Sequence, residues 1–327
     1  QRPPDFWACR TILGYLYTGA TGQFFTSCQP GAATVTDLVN KGVSLMDMGL
    51  MDEALKTLKE ASELDPLRVE PLNFLGAVYY RQRQYDQAVD SFRKAVFCDP
   101  SNAMSHCNLG AALEAKGVFD EAESWYKKAL KTDPSLLAAA YNLSLLYQTQ
   151  KRDQEALQIL MKLRDLSVGG SRIERRLAEL HCQMRRYDRA IKHVKAALEK
   201  DPDDPSLHLL SGKIHLLWGR DREAESDLKT ALDLSPDSAE PHYRLGLIYN
   251  KRKELEQAIQ HWETAVEVDP KHGLAHYNLA VALAMRKRYP IAWIHVREAQ
   301  KNGVDVSDFV KELSRISHEP RSARDML

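Results

Sequence analysis

Small and apolar residues recur along the chain with a period of 34 residues. One column of this pattern is alanine in eight successive units: Ala54, Ala88, Ala122, Ala156, Ala190, Ala224, Ala258 and Ala292. No insertion or deletion interrupts the spacing between the first and the last of them. A fixed period in this range is typical of stacked supersecondary units, none of which can bury its apolar face alone. The pattern therefore predicts a repeat array.

Three further columns keep the same period and predict a helix hairpin in each unit. The first holds small residues: Gly42, Gly76, Gly110, Ser144, Ala178, Gly212, Gly246 and Ala280. The second holds the leucines directly before them: Leu75, Leu109, Leu143, Leu177, Leu245 and Leu279. The third holds prolines: Pro66, Pro100, Pro134, Pro202, Pro236 and Pro270. Small residues let two helices cross closely while leucines fill the space between them. Because proline disfavours helical geometry in the preceding residue, the Asp-Pro pairs are expected to end each second helix.

This combination of a small residue, an alanine and a proline in fixed columns resembles the tetratricopeptide repeat family. The resemblance covers residues 35–306, which hold eight 34-residue units. It implies an all-α fold, a right-handed superhelical solenoid of eight helix-turn-helix repeats in which each first helix lines the concave face. It also implies binding of another protein or peptide rather than chemistry, with no cofactor.

The repeats are predicted to fall into two groups, residues 35–168 and residues 171–306. At the junction, Gly169 and Gly170 stand where neighbouring units have Asp-Pro, and paired glycines give the backbone more freedom than proline does. Two interpretations are open: residues 169–170 form a hinge, or the fourth repeat is degenerate but rigid.

Residues 307–327 are predicted to form a capping helix and a tail. The apolar residues of this region fall on one helical face: Val306, Phe309, Val310, Leu313 and Ile316. A solenoid needs such a cap because its last repeat would otherwise expose an apolar face.

Residues 1–34 also allow two interpretations. Arg2 and Arg10 precede a mildly apolar run that ends in Ser27 and Cys28. A basic stretch, an apolar run and small residues before a cysteine resemble a bacterial lipoprotein signal, with Cys28 as the lipidation site. That interpretation predicts a lipid anchor and a periplasmic or outer-membrane location. The alternative is an N-terminal extension with an incidental cysteine, in a cytoplasmic protein.

Composition removes several classes of function. The formal net charge is +0, with 45 basic and 45 acidic residues, so no global field favours nucleic acid or acidic membranes. No stretch approaches the ~18 apolar residues of a membrane span. The five cysteines form no CxxC pair, so neither a zinc site nor a thioredoxin-like motif is indicated. No metal site is predicted.

The candidate binding residues lie in the column just before the first-helix leucine. Its polar members are Asn40, Asn108, Asn142, Arg176, Arg244 and Asn278. Asparagine here resembles the asparagine ladders of other tetratricopeptide repeat proteins, in which side-chain amides hold the backbone of an extended peptide. An amide carries donors and an acceptor, so it can pair with any peptide group. We expect Asn108 and Asn142 to be exposed and to bind peptide; the alternative is that these asparagines are merely solvated.

A second candidate is a cluster of arginines at the start of the fifth repeat. Arg172, Arg175 and Arg176 are spaced i, i+3 and i+4, which places them on one helical face. Guanidinium groups pair well with carboxylates, so the cluster predicts an acidic peptide segment as the ligand. The alternative is a solvated face balanced by Glu174 and Glu179.

Histidines and catalytic motifs give weaker signals. His106, His208, His242 and His276 share one column, but packed helices stand ~8 to 10 Å apart, too far for one zinc ion. The column is better explained as a packing position. No GxSxG, HExxH, P-loop or dinucleotide fingerprint occurs. An enzymatic role would make the chain the repeat-bearing portion or regulatory subunit of a larger enzyme, such as a glycosyltransferase.

Overall fold

The computed structural model describes residues 34–318, and within that range the chain is all helix and turn. Seventeen helices occur among the described residues, and no strand does. In chain order they are α1 (Val35–Asp47), α2 (Met51–Leu64), α3 (Val69–Arg81), α4 (Tyr85–Cys98), α5 (Ala103–Lys116), α6 (Phe119–Thr132), α7 (Leu137–Thr149), α8 (Asp153–Asp165), α9 (Gly170–Gln183), α10 (Tyr187–Leu198), α11 (Pro205–Trp218), α12 (Asp221–Leu234), α13 (Ala239–Lys251), α14 (Leu255–Val268), α15 (Gly273–Met285), α16 (Tyr289–Lys301) and α17 (Ser307–Ile316). The all-α prediction is confirmed. Cys28 lies outside the described residues, so the lipid anchor stays a prediction.

Each odd-numbered helix from α1 to α15 packs against the even-numbered helix that follows it. Four Asp-Pro pairs directly follow second helices as expected: α2, α4, α6 and α14 stop one residue before Asp65, Asp99, Asp133 and Asp269. Each of these carboxylates accepts a hydrogen bond from the backbone N–H two residues further on, which fixes the turn into the next repeat. The fifth pair departs from the expectation, because α10 already ends at Leu198, three residues before Asp201.

A left-handed residue closes each of the eight hairpins. Three hairpins use glycine for it: Gly49, Gly117 and Gly219. The other five use lysine or arginine, with φ between 56° and 65°: Arg83, Lys151, Arg185, Lys253 and Lys287. A side chain in this conformation costs roughly 1 to 2 kcal/mol. A cation directly after a helix C-terminus offsets part of that cost, because it faces the negative end of the helix dipole.

The two helices of a hairpin fit together through a size match. A Cβ atom added at Gly76, Gly110 or Gly246 would lie less than 3 Å from a large ring on the second helix, namely Phe92, Tyr126 or Trp262 respectively. Where the first helix instead carries alanine, the residue sixteen positions later is valine, as in Ala178 with Val194 and Ala280 with Val296. Small and large residues therefore compensate one another, which keeps the crossing close-packed.

The chain groups into two compact units, one ending at Ile173 and the other beginning at Glu174. The division falls inside α9, shortly after the glycine pair. Gly169 and Gly170 both have positive φ, 86° and 54°, so the turn uses the conformation that glycine adopts most readily. That residues 169–170 act as a hinge stays a prediction. The last helix that the structure describes in the second unit is the capping helix α17, which buries Leu313 against the core formed by α13 to α16.

The same carboxylate clamp occurs once in each unit. In the first, Glu123 of α6 accepts hydrogen bonds from Arg152 Nη1 at 2.6 Å, Lys127 Nζ at 2.6 Å and the Tyr147 hydroxyl at 3.2 Å. In the second, Glu225 of α12 accepts from Arg252 at 2.6 Å, Lys229 at 2.7 Å and Tyr249 at 3.0 Å. Each clamp ties a second helix to the hairpin that follows it. The pKa of Glu123 is lowered to about 2, chiefly by Arg152, and that of Glu225 to about 2, chiefly by Lys229.

Replacing Glu123 with glutamine is expected to lower the free energy of unfolding by about 1 to 3 kcal/mol, because Arg152 and Lys127 lose their charged acceptor. Urea denaturation measures the change. Glu121→Gln is the matched control on the same helix, since within residues 34–318 Glu121 forms only an exposed 3.5 Å pair with Arg93, and it should cost less than ~1 kcal/mol. Equal losses in both variants would show that the clamp adds nothing beyond a surface ion pair.

Candidate functional site

The first helices of successive repeats in the first unit contact one another and form one surface, here called the first-helix face (α1, α3, α5 and α7). A polar network crosses this face between α3 and α5. Asn73 Nδ2 donates to Ser105 Oγ at 2.9 Å, and Asn108 Nδ2 donates to Asn73 Oδ1 at 3.4 Å. All three side chains are buried. The network therefore orients the amide of Asn108 from the neighbouring repeat.

Asn108 and Asn142 are not exposed, so that expectation is wrong. Their exposed fractions are 0% and 3%, because contacts between successive first helices cover these two positions. Each amide nevertheless keeps one polar atom without a hydrogen-bond partner among the described residues, Oδ1 of Asn108 and Nδ2 of Asn142. One is an acceptor and the other a donor. A buried polar atom left unpaired costs ~1 to 3 kcal/mol, so these two atoms favour a ligand that pairs with both.

The groups beside this network are packed rather than reactive. Burial raises the pKa of the Cys107 thiol to about 12, so it stays protonated near neutral pH. Burial also raises the pKa of Glu114, whose carboxylate accepts a 2.7 Å hydrogen bond from the Tyr126 hydroxyl. The first-helix face thus contains buried amides and a carboxyl group with a raised pKa, without an activated nucleophile.

Asn40, from the same column, is placed differently. It is exposed on α1, and its backbone carbonyl accepts a 3.0 Å hydrogen bond from the Ser44 hydroxyl. In the sequence column Phe74 stands between Asn40 and Asn108, so the amides do not continue from one repeat to the next at that end. The structure brings Asn108 into a network with Asn73 but does not bring Asn40 into it.

The arginines of α9 do not form a free cluster. Arg175 Nε and Arg176 Nη1 both donate to Glu179, at 3.2 Å and 3.1 Å, and Arg175 also donates to Ser206 Oγ at 2.9 Å. Two of the three arginines in the predicted binding surface are therefore paired with Glu179 of the same helix. This agrees with the alternative interpretation, in which Glu179 balances the charge of the cluster. Glu174, the other carboxylate of that alternative, instead pairs with His193 at 2.8 Å.

Arg172 belongs to the first unit and is exposed. It lines a shallow pocket together with Asp133, Leu137 and Gly169. This pocket lies at the turns before α7 and α9. A basic and an acidic group share the pocket, so it has no strong preference for an anion.

A second polar cluster surrounds Arg244 in the second unit. The Glu240 carboxylate pairs with Arg244 and accepts from His272 Nε2 at 3.2 Å, and His272 Nδ1 accepts from the backbone N–H of Ala275. The Tyr243 ring packs against His272 at 4.7 Å, and Asn278 bonds the Tyr243 hydroxyl. Burial pushes the pKa of Glu240 up, but His272 and Arg244 together hold it below its usual value. Arg244 is thus paired with Glu240, and Asn278 is bonded to Tyr243, so neither of these two predicted binding residues is free.

Histidine pairs are the feature that the sequence interpretation missed. The Nδ1 atoms of His242 and His261 are 3.0 Å apart, and those of His276 and His295 are 2.9 Å apart. Each pair joins the two helices of one hairpin. A second histidine column, nineteen residues after the first, was the available signal. Residues 34–318 hold no group of three or more potential metal ligands, so neither histidine pair has a third ligand beside it.

The paired helices agree with the chain's matches to known protein families. Models described as tetratricopeptide repeat match residues 39–103, 79–136, 175–239 and 239–272, together more than half of the chain. The chain belongs to the tetratricopeptide repeat family. A search of curated proteins finds no match. As a member of this family, the chain is a repeat-based scaffold for protein–protein interaction.

Solved structures show the same tetratricopeptide repeat fold. A tetratricopeptide repeat protein from Parabacteroides merdae is 21% identical, with a TM-score of 0.57, over 76% of this chain and 98% of that one. Pseudomonas aeruginosa pilF is 21% identical, with a TM-score of 0.52, over 63% and 94%. The crystal structure of the APC/C hetero-tetramer Cut9–Hcn1 gives 17% identity and a TM-score of 0.54 over 84% of this chain. This chain spans only 55% of that one. In the part of this chain that the structure describes, no helix has the length and apolar character to cross a membrane.

Proposed function

We propose that the first unit binds an extended segment of another protein along the first-helix face, through the amides of Asn108 and Asn142. The observation that carries the proposal is the pair of buried, unpaired polar atoms, one acceptor and one donor, on neighbouring first helices. A peptide backbone offers an N–H and a C=O at every residue. It can therefore donate to Asn108 Oδ1 and accept from Asn142 Nδ2, whatever its side chains are.

The network around Asn108 supports this role. Because Asn108 Nδ2 is already engaged with Asn73, and Asn73 with Ser105, the amide of Asn108 is held with its oxygen available. A preorganised acceptor loses little side-chain entropy on binding. Since both amides are buried, binding also requires that the side chains over them move aside. The peptide then replaces those contacts and satisfies the two polar atoms.

The proposal includes no catalysis and does not require an acidic partner. The Cys107 thiol and the Glu114 carboxyl on this face have raised pKa values and lie in packing contacts. Arg175 and Arg176 already share Glu179, so a carboxylate ligand would have to displace an existing partner. Sequence-tolerant recognition by amides fits these facts better than recognition of charge.

Replacing both Asn108 and Asn142 with alanine is expected to weaken binding by about 1 to 3 kcal/mol, roughly 5- to 150-fold in Kd, because two hydrogen bonds to the peptide are lost. The partner is first captured with the wild-type chain and identified by mass spectrometry. Its contact segment, made as a synthetic peptide, is then titrated calorimetrically against both proteins. Asn250→Ala, at an exposed asparagine of α13, is the control and should leave Kd unchanged. If the folded double variant binds as tightly as the wild type, the amides are not the site.

A further inference from the structure

An apolar groove lies between α15, the first helix of the last repeat, and the capping helix α17. It is called the cap groove here, and its principal lining residues are Tyr277, Val281, Met285, Phe309, Glu312 and Ile316. Its volume is about 490 Å³, within the range of ~300 to 1,000 Å³ common for ligand sites. The groove belongs entirely to the second unit and is separate from the amides of the first-helix face.

The walls of the cap groove expose large apolar side chains. Met285 is 67% exposed and Ile316 66% exposed, one on each helix. Between them, the rings of Tyr277 and Phe309 pack edge to face, with their centroids 5.9 Å apart, and form the aromatic base of the groove. Exposed apolar side chains gathered around a concavity, rather than scattered singly, mark an interaction site.

The charges at the cap groove have one sign. The charged lining residues are Asp308 and Glu312, both acidic and both on α17. Asp308 is compensated by Lys311 at 3.0 Å, whereas Glu312 forms no ion pair with any residue between 34 and 318. A partner that buries its apolar side chains here would bring its flanking positions up to the Glu312 carboxylate, where a cation is favoured.

The dimensions indicate the form of the partner. The lining residues span 277–285 on α15 and 308–316 on α17. At 1.5 Å per residue each stretch is roughly 12 Å long, which matches about two turns of a helix. A groove bounded by two helices accepts the apolar stripe of a third, with anchors spaced i, i+3 and i+4.

We propose that the cap groove is a docking site for a basic amphipathic helix of another protein, with aliphatic anchors against Met285 and Ile316 and a lysine or arginine beside Glu312. The site is independent of the amide site of the first unit. A chain that carries both can hold an extended segment at one place and a helix at another.

Two synthetic peptides of about 14 residues test this directly. Both place leucine on one helical face; the polar face is lysine in the first and glutamate in the second. Fluorescence anisotropy with the full chain is expected to show that the lysine peptide binds at least about tenfold more tightly. Glu312→Lys should remove that preference. Met285→Ser combined with Ile316→Ser should weaken binding of the lysine peptide about tenfold or more.

Matched controls lie elsewhere in the second unit. Glu267→Lys reverses an exposed acidic residue of α14, and Leu217→Ser removes an exposed leucine of α11. Both should leave binding of the lysine peptide within about twofold. All the substitutions are at exposed sites, and far-UV circular dichroism verifies that each variant folds. If the controls weaken binding as much as the groove variants do, or if neither peptide binds, the proposal is overturned.

Evidence that either of two other occupants fills the cap groove would also overturn the proposal. Shortening the chain to residue 318 should not change the affinity for the lysine peptide; a large gain would assign the groove to residues 319–327 of the chain itself. In sedimentation velocity, the Met285→Ser and Ile316→Ser variant should run like the wild type. A wild-type dimer that this variant converts to monomer would assign the groove to a second copy of the chain.

Discussion

Acidification from pH 7.5 to about pH 4.5 is expected to lower the free energy of unfolding by roughly 3 to 6 kcal/mol through three buried or half-buried histidines alone. His181, His261 and His295 have pKa values lowered to about 4. Burial is the main cause in each, and a neighbouring histidine is the second. Folding therefore favours the neutral form of all three side chains.

The geometry explains why a second proton is unfavourable. In a neutral pair, one Nδ1–H donates to the lone pair of the other Nδ1, as the 3.0 Å and 2.9 Å separations in His242–His261 and His276–His295 allow. When both rings are protonated, two N–H donors and two positive charges face each other. His181 stacks on His193 with ring centroids 5.2 Å apart, so two positive charges on these rings would also repel one another.

The direction of the pH effect follows from proton uptake. An unfolded histidine has a pKa near 6.5, so between pH 6.5 and about pH 4 the unfolded state binds more protons than the folded state. The histidine contribution is therefore complete above about pH 6.5 and is lost as the pH falls toward 4. We assign each histidine about 1 to 2 kcal/mol, less than its full shift, because the rings are partly solvated. The clamps at Glu123 and Glu225 respond only at lower pH, between 4.5 and about 2.

Urea denaturation at successive pH values measures this effect. Replacing His261 and His295 with glutamine should make the dependence between pH 7.5 and 4.5 shallower, leaving the contribution of His181. His318→Gln, at an exposed histidine, should keep the wild-type dependence. Stability that stays constant from pH 7.5 to 4.5 in the wild type would show that the paired histidines are protonated in the fold at no cost.

Shortening Trp262 is expected to have a large effect for a single core substitution, about 3 kcal/mol for Trp262→Val. The indole is 2% exposed, donates from Nε1 to the Tyr243 carbonyl at 3.1 Å and covers Gly246. Gly246→Ala alone should cost about 1 to 3 kcal/mol, because the new methyl group would overlap the indole. That loss exceeds the ~1 kcal/mol that alanine gains over glycine within a helix.

Combining the two changes tests the size match between the helices. Gly246→Ala with Trp262→Val reproduces the alanine–valine pairing of Ala178 with Val194. The double variant should lose at least about 1 kcal/mol less than the sum of the single variants, as measured by urea denaturation. Additive losses would mean that the glycine and the large residue opposite it are tolerated independently. Ala178→Gly, where the facing residue is already valine, is the control and should cost only the ~1 kcal/mol helix penalty.

The asparagine column shows where prediction from sequence stopped. Its period placed Asn108 and Asn142 on equivalent faces of neighbouring first helices, which the structure bears out. The period did not indicate that both amides are covered, or that Asn73 and Ser105 fix the orientation of one of them. Those facts depend on how closely successive first helices approach, and no single repeat carries that information.

The arginines of α9 illustrate the same limit for charge. Spacing correctly put Arg172, Arg175 and Arg176 on one helix, and it offered Glu179 as one neutralising partner. It could not choose between a free cluster and a compensated one, because that choice depends on side-chain conformation and on Ser206 of the next repeat. The two ion pairs with Glu179 are local to α9, whereas the hydrogen bond to Ser206 is a long-range contact that the spacing within one repeat does not indicate.

The sequence by itself determined the repeat length, the hairpin within each unit and the capping helix, because these depend on local periodicity and on where proline and small residues fall. Tertiary structure alone decided which polar atoms are left unpaired, which charges cancel and where a groove opens. The histidine pairs, the carboxylate clamps and the cap groove all arise from side chains on different helices. Their chemistry is set by burial and distance, which only the packed fold specifies.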